Sequence, residues 1–452
     1  MTTHEQVWNT FGPRVIWYPK QTKFFYNAST VREHWIDPGT EKHLLNHLKL
    51  GGFYDGIVRS EDPALRDVAD KIFKEEIAER RDKFLARVQT GNTVQWVGEL
   101  GGRVAGLHRV GNRQILLLHG PTFPTPAEGD CSFGLKILEE LLPGDQAPRF
   151  LAWLKRAYLA IKNQSGEMGQ ALIVAGASDS GKSLLQKRFI TPVLGDQGAD
   201  AIRFLIGQTG FNGELGAASH WMVDDQGDAV GFNRQVFSDA VKKAVADPMT
   251  RIEAKGADAI TAPIFRRLSI VMNTGGKNMA LLPELTEDIA DKLIVLKCDK
   301  VTSLLGSTPE NNARLVADLP AFLYWLEGYE PDPEVMGNPR FGTQAYFHPE
   351  LKRELQSTSA AANLLPLIKK LSTRFEGVYE GTSQQIYDEL LQSPSRFFLE
   401  KIVKSIQQFG RLMTEITKLY PELVTKRETK HGARYRIVVT DEKPEIKTTV
   451  VG

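Results

Sequence analysis

Gln170-Ala171-Leu172-Ile173-Val174-Ala175-Gly176-Ala177-Ser178-Asp179-Ser180-Gly181-Lys182-Ser183-Leu184 is the stretch that decides how this chain folds. Its first half is an unbroken apolar run, the pattern of a strand buried on both faces of a parallel sheet. Its second half, Gly176 to Ser183, fits GxxxxGK[ST], and Leu184-Leu185-Gln186-Lys187-Arg188-Phe189-Ile190 continues with helical spacing. Strand, glycine-rich turn and helix in that order aim backbone N–H groups and the positive end of a helix at one point. A nucleoside triphosphate such as ATP suits that cradle. Lys182 is expected to reach its outer phosphates and Ser183 to hold Mg²⁺, with Gly176, Ala177, Ser178, Asp179, Ser180, Gly181 and Leu184 wrapped around them. A plain glycine-rich turn would need neither the apolar strand before it nor the helix after it.

A triphosphate site also needs a carboxylate on its metal side. About 40 residues beyond Lys182, the short apolar run His220-Trp221-Met222-Val223 ends in Asp224-Asp225. Ligands in open α/β sheets sit beyond the carboxyl ends of the strands, where this run delivers its two acids. Asp224 is expected to hold Mg²⁺ through water, and Asp225 to orient or deprotonate the attacking water. An acidic pair at a strand end is by itself more often a turn; its distance from Lys182 reverses that preference. A third run, Leu268-Ser269-Ile270-Val271-Met272-Asn273, ends in an amide suited to the attacking water or the γ-phosphate.

The rest of the 452 residues sets the frame. Hydrophobic residues at 42% and charged residues at 25% are ordinary globular values and exclude a fibrous or disordered chain. A net charge of +1 leaves any anionic partner to local patches. Two distant cysteines, Cys131 and Cys298, give neither a disulfide framework nor a zinc pattern and fit a reducing cytoplasm. No run approaches the length of a membrane span.

Three domains are expected. Residues 1–145 read as a mixed α+β accessory domain. There, VIWYPKQTKFFY (15–26) forms two strands around a turn, 64–89 forms a charged helix, and TVQWVG and RQILLLHG form short strands. Residues 146–330 alternate helical segments with apolar runs, among them AIRFLIG, HWMVDDQ, RLSIVMN and DKLIVLKC, as an α/β domain with a mainly parallel sheet does. The three prolines of EPDPEVMGNPR mark a boundary. Residues 331–452 read as helical until the strand RYRIVVT (434–440).

Lys-Ser, then Asp-Asp, then a strand-terminal Asn within about 90 residues resemble the superfamily 3 helicases, and more closely the phage and plasmid relatives of the poxvirus-type primase-helicase. Thr209-Gly210-Phe211-Asn212, Arg251-Ile252-Glu253-Ala254-Lys255-Gly256 and the segment from Phe375-Glu376-Gly377 to Thr382 add to the likeness, which runs from about 149 to the C-terminus. The resemblance implies a P-loop AAA+ ATPase core in a homo-oligomeric ring, usually a hexamer, moving 3′ to 5′ on DNA in the replication of a phage, virus or mobile element in a bacterial cytoplasm. It makes Asn273 the sensor asparagine and 251–264 a hairpin pointing into the ring channel, with Lys255 and Arg251 on single-stranded DNA. Lys255-Gly256 is a basic, turn-compatible tip, as a phosphate-tracking loop requires. The family's arginine finger follows the sensor strand; this chain has Lys292 there, a point charge instead of a planar fork. Arg266, Arg267 and Arg314 are other candidates for that role.

Residues 396–440 carry ten Lys and Arg against four Glu. Helix 409–424, a turn through TKRETKHG and a strand resemble a winged helix, with Lys426, Arg427 and Lys430 on duplex DNA. The aromatics Trp8, Trp17, Tyr18, Phe24, Phe25 and Trp35 read as core instead of base-stacking residues. Residues 1–145 hold no acidic pair of primase type, so no primase activity is assigned to the chain; a separate primase or replication initiator is a candidate partner. The competing reading is an ATP-dependent DNA-binding or loading protein that does not unwind. A small-molecule kinase is disfavoured, because no lid-like arginine cluster follows the sheet.

Overall fold

A computed structural model describes residues 4–29, 34–55, 57, 66–224, 234–255, 258–274, 282, 287–302, 309–357, 360–429 and 432–438. The chain divides into two compact units, residues 1–273 with 291–346, and residues 274–290 with 347–452.

The first unit is built on an α/β sheet. Five strands run parallel in the order Leu293–Cys298, Ala171–Gly176, Arg267–Asn273, His220–Val223 and Gly198–Asp200, and a short strand, Tyr346–Phe347, lies outside the first. All six residues of Ala171–Gly176 are buried, as the unbroken apolar run requires of a strand covered on both faces. Helix Gln146–Lys162 covers the sheet with Phe150, Trp153, Leu154, Ala157, Tyr158 and Ile161, all fully or almost fully buried. The Trp153 indole N–H donates to the Gln170 carbonyl at 2.9 Å and so fixes the helix against the foot of the central strand. AIRFLIG forms a helix, Ile202–Leu205, and the edge strand is the preceding Gly198–Asp200. A short apolar stretch does not distinguish the two states by itself.

The first 145 residues belong to the same unit. Val15–Tyr18 and Lys23–Asn27 pair antiparallel, with Thr22 closing the turn between them at φ 54°. Tyr18, Phe24, Phe25 and Trp35 are buried, and Trp8 and Trp17 pack against the same cores. Helix Arg66–Gly91 follows, then a sheet of Trp96–Gly98, Arg113–Leu117 and Gly106–Val110. Between its strands the chain crosses the larger sheet's foot. Gly101 N–H donates to Gly216 O at 2.8 Å, and Gly101 O accepts from Phe265 N–H at 2.9 Å. A Cβ on Gly101 would stand 2.4 Å from the Ala218 carbonyl oxygen, so the crossing admits only glycine.

The second unit runs helix Ala360–Thr373, strand Val378–Thr382, helices Ser383–Leu391, Arg396–Ile402 and Ile406–Leu419, then strands Val424–Thr429 and Gly432–Val438. The strands form an antiparallel sheet with Gly432–Val438 in the centre. Thr382 and Gln385 form a capping box, and Ser405 caps the last helix through Gln408 N–H. The long helical reading of residues 331–452 is therefore corrected. Val378–Thr382 and Val424–Thr429 are strands, and the TKRET segment expected as a turn is one arm of a hairpin. Only Val424 of this strand is buried and the four residues after it are exposed, so neither alternation nor an apolar run marks it in the sequence. No helix among the described residues is long and apolar enough to cross a membrane.

Candidate nucleotide site and nucleic-acid surfaces

The sheet's register gathers the predicted residues at one edge. Gly176, Asn273 and Cys298 are level with one another at the ends of three adjacent strands. Val223 is level with Ile270, which brings Asp224 to the same edge. The asparagine strand is inserted between the phosphate-loop strand and the carboxylate strand, so Asn273 stands between the two.

The turn is held by close approaches. A Cβ at Gly176 would meet the Cys298 carbonyl at 2.5 Å; Asp179 and Gly181 take φ of 57° and 104°. Ala177, Ser178 and Asp179 are exposed at the crest, Ser180 is buried below it, and Leu184 is half-buried on the following turn. Lys182, only 7% exposed, lies inside the loop. Its ammonium donates to Gly176 O at 3.3 Å, Ala177 O at 2.5 Å, Ser180 Oγ at 3.3 Å and Asn273 Oδ1 at 3.1 Å. Ser183 Oγ donates to both Asp224 oxygens at 3.2 Å, and Lys187 Nζ stands 3.7 Å from Asp224 Oδ2. Cys298 Sγ lies 3.4 Å from Ser180 Oγ, and burial pushes its thiol up to about 11, so it is a neutral wall of the loop.

Above the loop opens a cleft of about 610 Å³ lined by Lys182, Ser183, Lys187, Arg188, Lys300 and Asn312, among others. That volume lies in the range of small-molecule sites. Among the described residues, four cations and a single acid, Asp179, line the cleft, a balance that suits a polyphosphate. Lys187, Arg188, Lys300 and Asn312 were not singled out from the sequence. Lys187 and Arg188 follow Lys182 on its own helix, while Lys300 comes just after a distant strand and carries no local signal. Asp225 lies outside the described residues.

Lys292 sits at the opposite end of the sheet from Gly176, just before strand Leu293–Cys298, and pairs with Asp291 at 2.8 Å. Arg266 and Arg267 are buried. The first donates to Ala244 O at 2.8 Å and lies over the Trp221 ring, and the second donates to Glu167 O at 2.8 Å. Burial pulls them down to about 10 and about 9, so both remain charged at neutral pH while tying backbone together. Arg314 stays half-exposed.

Met249–Ile252 and Ile260–Pro263 form the expected antiparallel hairpin. Lys255 is exposed in its connecting loop, and Arg251 is exposed and paired with Glu253. Asn212, 4% exposed, clamps the hairpin. Its amide donates to Arg251 O at 2.8 Å and accepts from Glu253 N–H at 2.7 Å. On the other side of the loop, Asp258 pairs with Lys20, and its carbonyl accepts from the Trp96 indole at 3.3 Å.

In the second unit, Lys426 and Arg427 are exposed on strand Val424–Thr429, and Lys430 lies outside the described residues. Lys426 pairs with Glu428 at 2.7 Å. Arg427 stands directly opposite Arg434, an arrangement of like charges that an anion between them would relieve.

No family model matches the chain, and no curated protein matches it. Among solved structures, the apo NrS-1 C-terminal region (305-718) is 15% identical over 94% of this chain and 96% of that one, at a TM-score of 0.51. Its A form is 14% identical over 97% and 99%, also at 0.51. JCV helicase overlaps more loosely, over 50% of this chain and 58% of that one, at 14% identity and a TM-score of 0.30. The chain thus shares the fold of the NrS-1 C-terminal region.

Proposed function

We propose that this chain is an ATP hydrolase of the superfamily 3 helicase type that moves along or unwinds DNA in the replication of a phage, virus or mobile element. The observation that carries the reading is the convergence of Lys182, Ser183, Asp224 and Asn273 on one sheet edge under a cationic cleft. The residues fit the ligand. A lysine enclosed by loop oxygens is poised to exchange them for phosphate oxygens, and Ser183 with Asp224 forms a hard oxygen pair of the kind Mg²⁺ takes. Mg²⁺ held there would neutralise charge on the outer phosphates.

Each protein group then has a task. Lys182 draws charge off the terminal phosphate, the loop N–H groups hold the phosphates in line, and Asn273 orients water beside them. Asp225 is the proposed base for that water. The exposed Lys255, on a hairpin clamped by Asn212 where its strand meets the loop, tracks the nucleic-acid backbone, with Arg251 beside it. In a homo-oligomeric ring, a hexamer by the resemblance, Lys292 or Arg314 of a neighbouring subunit would complete the site. The second unit, with helix Ile406–Leu419 and the Lys426–Arg427 hairpin ordered as in a winged helix, would hold duplex DNA. A separate primase or initiator would act beside it.

One observation favours a second reading, a DNA-loading ATPase that does not unwind. Lys292 takes the finger's place and is held by its neighbour Asp291. The test is ATP hydrolysis with and without single-stranded DNA, together with strand separation on forked DNA of both tail polarities. DNA-stimulated hydrolysis with separation is expected. Hydrolysis with no separation on either fork would leave the loader, and no Mg²⁺-dependent hydrolysis at all would end both readings.

A further inference from the structure

The helix that begins at Lys182 is not uniform. After Lys182–Leu184 it widens into a π-helical stretch, Leu185–Ile190, before closing again at Thr191–Val193. Such widenings recur at functional sites. Here it holds Gln186, a fully buried amide between the helix and the sheet. Gln186 Nε2 stands 3.3 Å from Val223 O, 3.2 Å from Ser269 O and 2.8 Å from Ser269 Oγ. Val223 directly precedes Asp224. Ser269 lies four residues before Asn273 and, at period two, on the same face of its strand. One side chain therefore spans from the phosphate-loop helix to both strands that deliver the other polar groups of the site.

The contacts continue into a closed ring whose direction can be worked out. Thr191 Oγ1 donates to Gln186 O at 2.9 Å, which uses its only proton. The 2.8 Å contact between Thr191 Oγ1 and His220 Nδ1 must then have the imidazole as donor. His220 Nε2 is left as an acceptor and takes the Ser269 hydroxyl proton at 2.7 Å, which leaves Ser269 Oγ to accept from Gln186. The ring runs Gln186, Ser269, His220, Thr191 and back to the Gln186 carbonyl. It requires a neutral imidazole, and complete burial keeps His220 neutral. Gln186 Oε1, buried, meets no donor among the described residues. An amide held with one orphaned oxygen is more costly than an aliphatic side chain of the same shape, so filling space does not account for it.

We propose that Gln186 is a positioning residue. It keys the phosphate-loop helix to the Asp224 and Asn273 strands, so that seating of the terminal phosphate on Lys182 and Ser183 sets the alignment of the two residues across the cleft. The proposal rests on the ATPase reading above and goes beyond it, because Gln186 touches neither the nucleotide nor the metal.

Gln186→Met keeps length and volume and removes the amide; Ser269→Ala removes the ring's next member. For each variant, kcat and KM for ATP hydrolysis are measured, with fluorescent ATP-analogue binding and thermal midpoint alongside. The expected result is a fall in kcat of about tenfold with KM and analogue affinity within about twofold. The double variant should be no slower than the slower single variant, since both break one ring. Wild-type kcat per folded molecule in both single variants, whatever the change in midpoint, would overturn the proposal and leave a packing role. Absence of both binding and hydrolysis in the wild-type chain would instead remove the ATPase reading, and this inference with it.

Discussion

Two lysines of the first unit carry the proposed function, and they are placed in opposite ways. Lys182 is enclosed, with four oxygens around its ammonium and 7% of its surface exposed. Lys255 is exposed in a hairpin loop, and the structure's effort lies beneath it, in Asn212 clamping both sides of the strand end. The difference follows from what each must recognise. Hydrolysis depends on charge placed within a fraction of an ångström, which only an interior can hold. Tracking a phosphate backbone requires positive charge on a supported arm and tolerates variation in its shape.

The enclosed lysine offers the largest effect. Lys182→Ala should lower ATP turnover by at least about 100-fold, in the range for removing a preorganised transition-state donor. Lys182→Arg should do no better, because a planar fork does not fit a nest built for a point charge. If the arginine variant retains most of its turnover in a steady-state assay, the contrast with Lys255 is broken. At the hairpin, Lys255→Ala should reduce strand separation on forked DNA about tenfold, and Lys255→Arg should restore it to within about twofold. Equal failure of both would mean that the loop reads shape as the phosphate site does.

The last effect concerns stability and not turnover. Burial depresses His220 from 6.5 to about 3 in the folded chain. Above about pH 6.5 the group is neutral in both states and contributes no pH dependence. As pH falls from there toward 3, the unfolded chain takes up a proton that the folded chain refuses. Stability therefore drops, by up to about 1.4 kcal/mol per pH unit. Thermal midpoints between pH 7 and 4 should fall more steeply for the wild type than for His220→Gln. Parallel curves would show that the ring around Gln186 tolerates a charged imidazole.

The same contrast between inside and outside governs what the sequence made legible. The glycine-rich turn and the Asp224 strand were readable because each is a local pattern, an apolar run ending in polar residues, whereas the hairpin at 251–264 was expected from the family resemblance and from the turn-compatible Lys255-Gly256. Asp224, Asn273 and Lys255 lie where those patterns put them relative to Lys182 or to the hairpin. The ring of Gln186, Thr191, His220 and Ser269 was not readable. Its members are scattered through three apolar segments, and each looks alone like a tolerated polar residue. Arg266 and Arg267 show the converse. In sequence they are candidate fingers, and only burial shows them bonded to backbone carbonyls. In the second unit the reading failed at Val424–Thr429, an exposed charged strand with one buried residue and no apolar pattern to mark it.

The glycine crossing at residue 101 bears on how the molecule can be divided. Gly216 and Phe265, its two backbone partners, lie just upstream of the strands ending at Asp224 and Asn273. A chain trimmed at residue 145 would strip a carbonyl and an amide of their mates beneath both strands, at about 1–3 kcal/mol for each group left dry. The first third of the polypeptide is thus not an appendage that can be clipped from the larger sheet. It is part of the floor on which the edge carrying Asp224 and Asn273 stands.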